Sequence, residues 1–472
     1  MSDFRREDDL LGPRDVPADA LYGIHAHRAM ENFPLLGRPV RRAMVHAYGQ
    51  VKLACAHTNY ELGRWRDRPE VFAAIRQACQ ELAAGELDDH VRVDACQGGA
   101  GTSTNMAVNE VLANRALQIL GRALGDYAAV DPHDDLNRHQ STNDTFPTAL
   151  KVAAMGELAA LQRAVVALME AFQDKEKQFA EVVKIGRTEM QDAVLTTLGR
   201  EMSAYAEALS RDRWRIYKCQ ERLRVVNLGG TAIGTGLGAP RPFVFGAVEQ
   251  LRRITGLNLA RAENLVEATQ NADVFVEVSG ILKALATSLI KIAQDLRLMS
   301  SGPHGGLGEI RLPPRQAGSS IMPGKVNPVI PESVIQAGML VCGHDAVIAH
   351  AAASGNLELN AFLPLIAECL LETIELLTRT CGSFARFCVR GIEADEDRCR
   401  RHVDGSTATA TALVDSIGYD RATQAAAEAD ASGRSVREIV IANGWINAED
   451  YAACIAAERV MQLGSRPRRE QP

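Results

Sequence analysis

Apolar positions recur at steps of three and four residues along three long stretches of this chain. Between Ala272 and Ser300 they fall at Val274, Val278, Ile281, Leu285, Leu289, Ile292, Leu296 and Met299, with no proline among them. A second stripe runs from Met155 through Leu158, Leu161, Val165, Leu168 and Phe172 to Phe179. A third runs from Leu363 through Ile366, Leu370, Ile374 and Leu377 to Cys381 and Phe384. This period places apolar side chains on one face of an α-helix. Each such helix is roughly 40 Å long at about 1.5 Å per residue. Helices of that length do not bury their stripes inside a small globule; they need one another, and the same helices of other subunits. The pattern predicts an all-α chain in three regions. Residues 1–140 mix short helices with Gly- and Pro-rich connections, 141–398 form a long-helix bundle, and 399–472 form a small helical tail domain after Asp395-Glu396-Asp397.

Composition agrees with packed helices: 46% of residues are hydrophobic but only 5% aromatic. A formal charge of −7, with no block of Lys or Arg, argues against nucleic acid or an anionic membrane as partner. The N-terminus, Met1-Ser2-Asp3-Phe4-Arg5-Arg6, has no apolar run of the kind a signal peptide carries. No stretch reaches about 18 uninterrupted apolar residues, so no membrane span is expected and the location expected is cytoplasmic. The ten cysteines form no C-x-x-C pair, and the spacing of Cys381, Cys388 and Cys399 suits neither zinc nor a disulfide framework. His344 and His350 do not share a helical face. Reduced thiols, no metal and no cofactor are the expectation.

Three segments cluster small hydroxyl residues and glycines beside helix starts. They are Gly98-Gly99-Ala100-Gly101-Thr102-Ser103-Thr104-Asn105, His139-Gln140-Ser141-Thr142-Asn143-Asp144 with its helix opening after Pro147, and Gly318 through Pro328. A helix N-terminus offers free N–H groups and the positive end of the dipole to a carboxylate or phosphate. Alone, Ser141 and Thr142 read as N-caps. Two such segments and a Gly-rich loop holding Lys325 suit a dicarboxylate, which has two ends to clamp. No G-K-[ST] follows the glycines, so the loop is not a nucleotide P-loop, and Gly234-Thr235-Gly236-Leu237-Gly238 lacks dinucleotide spacing.

Gly318 through Pro331 closely resembles the signature of the aspartase/fumarase superfamily. Asp9-Leu10-Leu11-Gly12, Tyr22-Gly23-Ile24-His25, Glu31-Asn32-Phe33, Val225-Val226-Asn227-Leu228-Gly229 and Ser300-Ser301-Gly302-Pro303 extend the likeness over nearly the whole chain, on the side of aspartate ammonia-lyases. The resemblance implies a cofactor-free carbon–nitrogen lyase, a homotetramer with a twenty-helix core, and active sites built from three subunits. It implies elimination of ammonia from L-aspartate to fumarate; a lyase for a substituted aspartate and a fumarate hydratase are the alternatives. By the same likeness Thr102, Ser141, Thr142 and Ser320 clamp the carboxylate beside the carbon that loses its proton. Thr188, Lys325 and Asn327 hold the other carboxylate, Asn143 faces the amino group and Ser319 is the general base. Proton loss beside a carboxylate makes a dianionic aci-carboxylate, so preorganised donors should dominate catalysis. A serine needs a stabilised alkoxide to act as base, which backbone N–H groups and Lys325 would supply.

The chain departs from the family at Gly186-Arg187-Thr188-Glu189-Met190-Gln191-Asp192, where relatives carry His or Gln in place of Glu189. In relatives with His, that residue pairs with a Glu matching Glu332, so two carboxylates would meet here. An anion roughly 4 Å from a substrate carboxylate costs about 1–4 kcal/mol. Either one carboxyl is protonated by its neighbour's field, or Glu189 faces a cationic or donor-bearing part of the substrate. Val194-Leu195 lacks the usual proline, Gly305-Gly306 replaces Arg-Ala, and Ser354 through Asn360 looks more like fumarases. The second dicarboxylate site of fumarases is not preserved as such at Asp131-Pro132-His133-Asp134.

Overall fold

A computed structural model describes residues 4–462 and 464; Met1–Asp3 of the charged N-terminus and 465–472 of the tail lie outside the described residues. Among the described residues the chain is all-α, with short strands gathered in four two-stranded sheets. Five helices run 25 to 37 residues: Thr142–Gln178, Leu198–Leu223, Asp273–Met299, Val329–Ala353 and Leu363–Phe387. The stripes of the first and last are buried as the spacing predicts. In Asp273–Met299 the buried seam is Phe275, Val278, Leu282, Leu285, Leu289, Ile292, Leu296 and Met299, while Val274 and Ile281 are half-buried. Their immediate neighbours, Phe275 and Leu282, keep the three-four step unbroken through the first turns.

Two long helices lie outside the three stripes. In Leu198–Leu223 the seam of Leu198, Met202, Tyr205, Leu209, Ile216, Cys219 and Leu223 is interrupted by buried Asp212. Val329–Ala353 is apolar on most sides, so no stripe stands out. It and Thr142–Gln178 are long and apolar enough by length and composition to cross a bilayer. Core helices of soluble proteins pass the same test, because a helix that is apolar all round is buried by protein or by lipid alike.

The helix expected after Pro147 begins earlier, at Thr142, with Pro147 inside it. A proline lacks the N–H that would reach the carbonyl four residues back. That carbonyl belongs to Asn143, and it accepts instead from the Asn227 amide at 3.0 Å.

The chain divides into two compact units, each assembled from three stretches. The first comprises Met1–Gln162, Trp214–Ala284 and Met339–Leu377. Within it the Arg42–Glu61 helix packs on Pro69–Ala84 and Arg241–Thr255. Gly49 permits the first of these contacts, since a Cβ there would lie 2.5 Å from the Ala83 nitrogen. The second unit comprises Arg163–Arg213, Leu285–Gly338 and Thr378–Pro472. It holds the antiparallel hairpin Val183–Thr188/Gln191–Thr197. Its tail helices close over their own core of Leu413, Ile417, Ala425, Ile439, Val440 and Tyr451.

Candidate active site

In the first unit the Gly98–Asn105 and His139–Asp144 segments lie against each other. Thr145 Oγ donates to Asn105 Oδ1 at 3.3 Å. A Cβ on Gly101, at φ 93°, would fall 2.1 Å from the Phe146 ring. Gly101→Ala is therefore expected to cost about 2–4 kcal/mol from overpacking and a left-handed backbone together. Thermal denaturation of the variant checks this.

Ser141 caps the Thr142–Gln178 helix: its Oγ accepts the Asn143 N–H at 3.2 Å, and its own N–H donates to Asp144 Oδ1 at 3.0 Å. Asp144 is fully buried and its other oxygen accepts the N–H groups of Gly229 and Thr231 at 3.1 and 2.9 Å. Burial pushes its carboxyl up to about 7, against the pull of those donors and of Lys52. Ser141 thus fills the N-cap role, while its O–H proton stays available to an anion. Asn143 Nδ2 donates to the Ala232 carbonyl at 2.7 Å, which leaves Oδ1 as the atom that can receive a donor. Thr142 is buried. Thr102 opens the Thr102–Ile119 helix, but its hydroxyl donates to the Gly99 carbonyl at 2.8 Å and would have to turn to serve a carboxylate.

In the second unit, Ser319, Ser320, Lys325 and Asn327 share one loop. The Gly318 N–H donates to the Lys325 carbonyl at 2.8 Å, and Asn327 Nδ2 donates to the Gly318 carbonyl at 3.0 Å. Asn327 is thus a latch for the loop with one amide proton to spare. Gly318 is obligatory at this closure, because a Cβ would sit 2.7 Å from the Lys325 carbonyl oxygen. Ser319 Oγ accepts the N–H groups of both Ile321 and Met322 at 3.1 Å. Two backbone donors aimed at one hydroxyl oxygen favour the anionic form of that oxygen. Ser320 and Lys325 are exposed.

Thr188 and Gln191 are paired at the end of the hairpin, so Glu189 and Met190 form a two-residue turn with φ of 52° and 67°. Asn-Gly is the usual solution there, since both positions require positive φ. Non-glycine residues in the left-handed region are uncommon and cluster at functional sites. Glu332, in the first turn of Val329–Ala353, lies 3.6 Å from Arg297. Among the described residues no hydrogen bond or ion pair joins Glu189 to Glu332 within one chain.

A charged network that residue spacing does not reveal holds this hairpin. Glu309 is completely buried, with Arg187 at 2.7 Å, Lys184 at 3.1 Å and His402 Nδ1 at 3.3 Å. Lys184 also meets Glu201 at 2.8 Å, and Asp192 accepts from Ser406 Oγ at 2.7 Å. Burial raises the Glu309 carboxyl, but Lys184 and Arg187 outweigh it and hold the group below its usual range. Lys184 in an otherwise apolar strand start was the visible signal; its partners are too distant in sequence to be read.

A cavity of about 840 Å³ in the first unit is lined by none of the predicted site residues. Its wall includes Ser103, Asp131, His25 and His133, with the two Nε2 atoms 3.4 Å apart. Among the described residues, no group of three or more His, Cys, Asp or Glu could hold a metal ion.

A lyase family model matches residues 12–343, and a model for the fumarase C C-terminus matches 410–462. An aspartate ammonia-lyase of Pseudomonas fluorescens is 46% identical over 94% of this chain and 93% of its own length. A class II fumarate hydratase of Brucella suis is 41% identical over 98% and 99%. A crystal structure of a fumarate lyase:delta crystallin from Brucella melitensis bound to cobalt superposes with a TM-score of 0.92, at 48% identity, over 96% and 98% of the two chains. Family models over most of the chain, long relatives above 40% identity and a common fold agree, and this chain is an enzyme of the aspartase/fumarase superfamily of lyases.

Proposed function

We propose that this lyase eliminates ammonia reversibly from L-aspartate to give fumarate. The observation that carries the reading is Ser319, whose hydroxyl oxygen receives two backbone N–H groups. As alkoxide, Ser319 takes the proton from the carbon beside one carboxylate. The electron pair left on that carbon spreads into the carboxylate as the aci form, held by donors of Thr102, Ser141, Thr142 and Ser320. Collapse of that dianion forms the carbon–carbon double bond and expels the nitrogen, which leaves as ammonia past Asn143 Oδ1. Thr188, Lys325 and Asn327 hold the second carboxylate.

Large apolar side chains stand exposed on the long helices, among them Met339, Leu340 and Val347. Such surface is what subunit contacts cover. The reading is a cytoplasmic homotetramer whose sites draw residues from three subunits. Light scattering after size-exclusion chromatography is expected to give four times the 51.1 kDa chain mass. A monomer mass would overturn the shared site.

The test of function is ultraviolet detection of fumarate from purified protein with L-aspartate and L-malate in parallel. Rapid turnover of aspartate alone is expected, and turnover of malate alone would make the chain a hydratase. A second reading rests on Glu189, a carboxylate at a hairpin tip where relatives carry His or Gln. It would receive an ammonium or a nitrogen substituent beyond plain aspartate. Weak turnover of both acids by intact tetramer would favour it, whereas an unchanged substrate preference in Glu189→Gln would remove it.

A further inference from the structure

Lys52 is a buried cation that the proposed mechanism does not use. It sits in the Arg42–Glu61 helix, 2% exposed, with Val51, Leu53, Ala54 and Cys55 beside it. Its ammonium donates to Gln140 Oε1 at 2.9 Å and to Asn137 Oδ1 at 3.2 Å. Among the described residues no carboxylate lies within ion-pair distance of it. Asn137 Oδ1 also accepts from the amides of Asn105 and Asn109, at 3.0 and 3.2 Å. Asn105 is in the first turn of the helix that Thr102 opens, and Gln140 is bonded to Ser141. One buried positive charge therefore lies directly behind both segments with which the first unit would grip a carboxylate.

Burying an ion without a partner is strongly unfavourable, and two neutral amide oxygens compensate it only in part. The first turns of the Thr102 and Thr142 helices lie beside one another, with Thr145 meeting Asn105 at 3.3 Å, and each contributes its positive dipole end there. Asp144 is the carboxylate whose charge Lys52 feels, and it already accepts three backbone N–H groups. A carboxylate arriving at these helix starts would meet a lysine that has only amide oxygens as hydrogen-bond partners.

We propose that Lys52 is an electrostatic positioning residue for the substrate. Its ammonium fixes Gln140 and Asn137, and through them the Ser141 and Thr102 helix starts, and its charge is neutralised when a dicarboxylate binds. The inference rests on the dicarboxylate reading above and adds that affinity is linked to protonation of this lysine. Burial pushes Lys52 down to about 8, against the pull of Cys55, Asp144 and Cys79. The groups facing it are those three. The two thiols are pushed up by burial, Cys79 to about 12, and stay neutral near pH 8; Asp144, at about 7, is mostly ionised there. A bound dianion stabilises the protonated lysine, so binding near pH 8 must take up a proton.

The experiment is calorimetric titration of the tetramer with succinate at pH 7 to 9, in two buffers of different ionisation heat. Wild-type protein is expected to take up roughly half a proton per site at pH 8. Lys52→Met, which keeps the length and removes the charge, is expected to lose the uptake above pH 7.5 and to bind about tenfold more weakly at pH 7. Any uptake that remains in the variant belongs to Asp144, whose titration moves to higher pH once the pull of Lys52 is gone. Lys52→Gln serves as a second neutral variant should the methionine perturb folding, and near-ultraviolet dichroism checks both. Equal proton uptake in wild type and variants, with succinate bound, would overturn the role of Lys52. Failure of wild-type protein to bind succinate at all would instead overturn the dicarboxylate reading itself.

Discussion

Ser319→Ala is expected to lower kcat for fumarate formation by about 10³- to 10⁴-fold while leaving KM within a fewfold of wild type. The size follows from removing a positioned base, a loss of roughly 4–5 kcal/mol from the barrier. KM should hold because the contacts assigned to the two carboxylates do not involve this hydroxyl. The loop should also hold its shape, since its closure rests on Gly318, Lys325 and Asn327. Ser319→Cys provides the complementary measurement. A thiolate ionises more readily but is a poorer match to N–H donors placed 3.1 Å from an oxygen, so partial activity with an altered pH profile is expected. Steady-state kinetics that leave Ser319→Ala within tenfold of wild type would assign the base elsewhere.

The second large effect is expected at Glu309→Gln. This change removes the charge that Lys184 and Arg187 share inside the protein; because Lys184 keeps Glu201 and Arg187 keeps Asp192, the loss is expected at the lower end of the about 3–5 kcal/mol that breaking a buried pair costs. Activity should fall with stability, because the same strand ends at Thr188. The pH dependence identifies the cause. The folded carboxyl is held below its ordinary value of 4.5, so the unfolded chain binds this proton more readily. The stabilisation is therefore complete above that value and is lost as pH falls through the lowered one. Chemical denaturation should show the largest difference between wild type and variant near neutrality, closing only as pH falls below 4.5. A difference independent of pH would mean that the shape of the side chain, not its charge, holds the hairpin.

Much of this was legible in the chain. A three-four spacing survives translation into a helix because one face must be buried, so the long helices were readable wherever the stripe was clean. It failed where Asp212 broke a seam and where Val329–Ala353 had no polar face to contrast with. Pro147 misplaced a helix start because its cost depends on Asn227, eighty residues away, which catches the freed carbonyl. Ser319, Lys325 and Asn327 were legible as a group because they lie within nine residues of one another. Lys52 and Glu309 were not, since burial gives a charged residue its meaning and burial is a property of the packed chain. The Ser319 donors occupy the middle ground: a Gly-flanked loop promised N–H groups, and only the folded loop identifies those of Ile321 and Met322.

The hairpin from Val183 to Thr197 separates anchoring from reading. Lys184, Arg187 and Asp192 are bolted to Glu309, Glu201 and Ser406, whereas among the described residues Glu189 and Met190 at the tip have no side-chain partner. Side-chain changes at the tip then leave the anchoring network intact, provided the new residue accepts the positive φ of the turn. A library randomised at 189 and 190 should keep most of its members soluble and assembled, which makes this turn a natural place for substrate range to diverge and for directed evolution to begin.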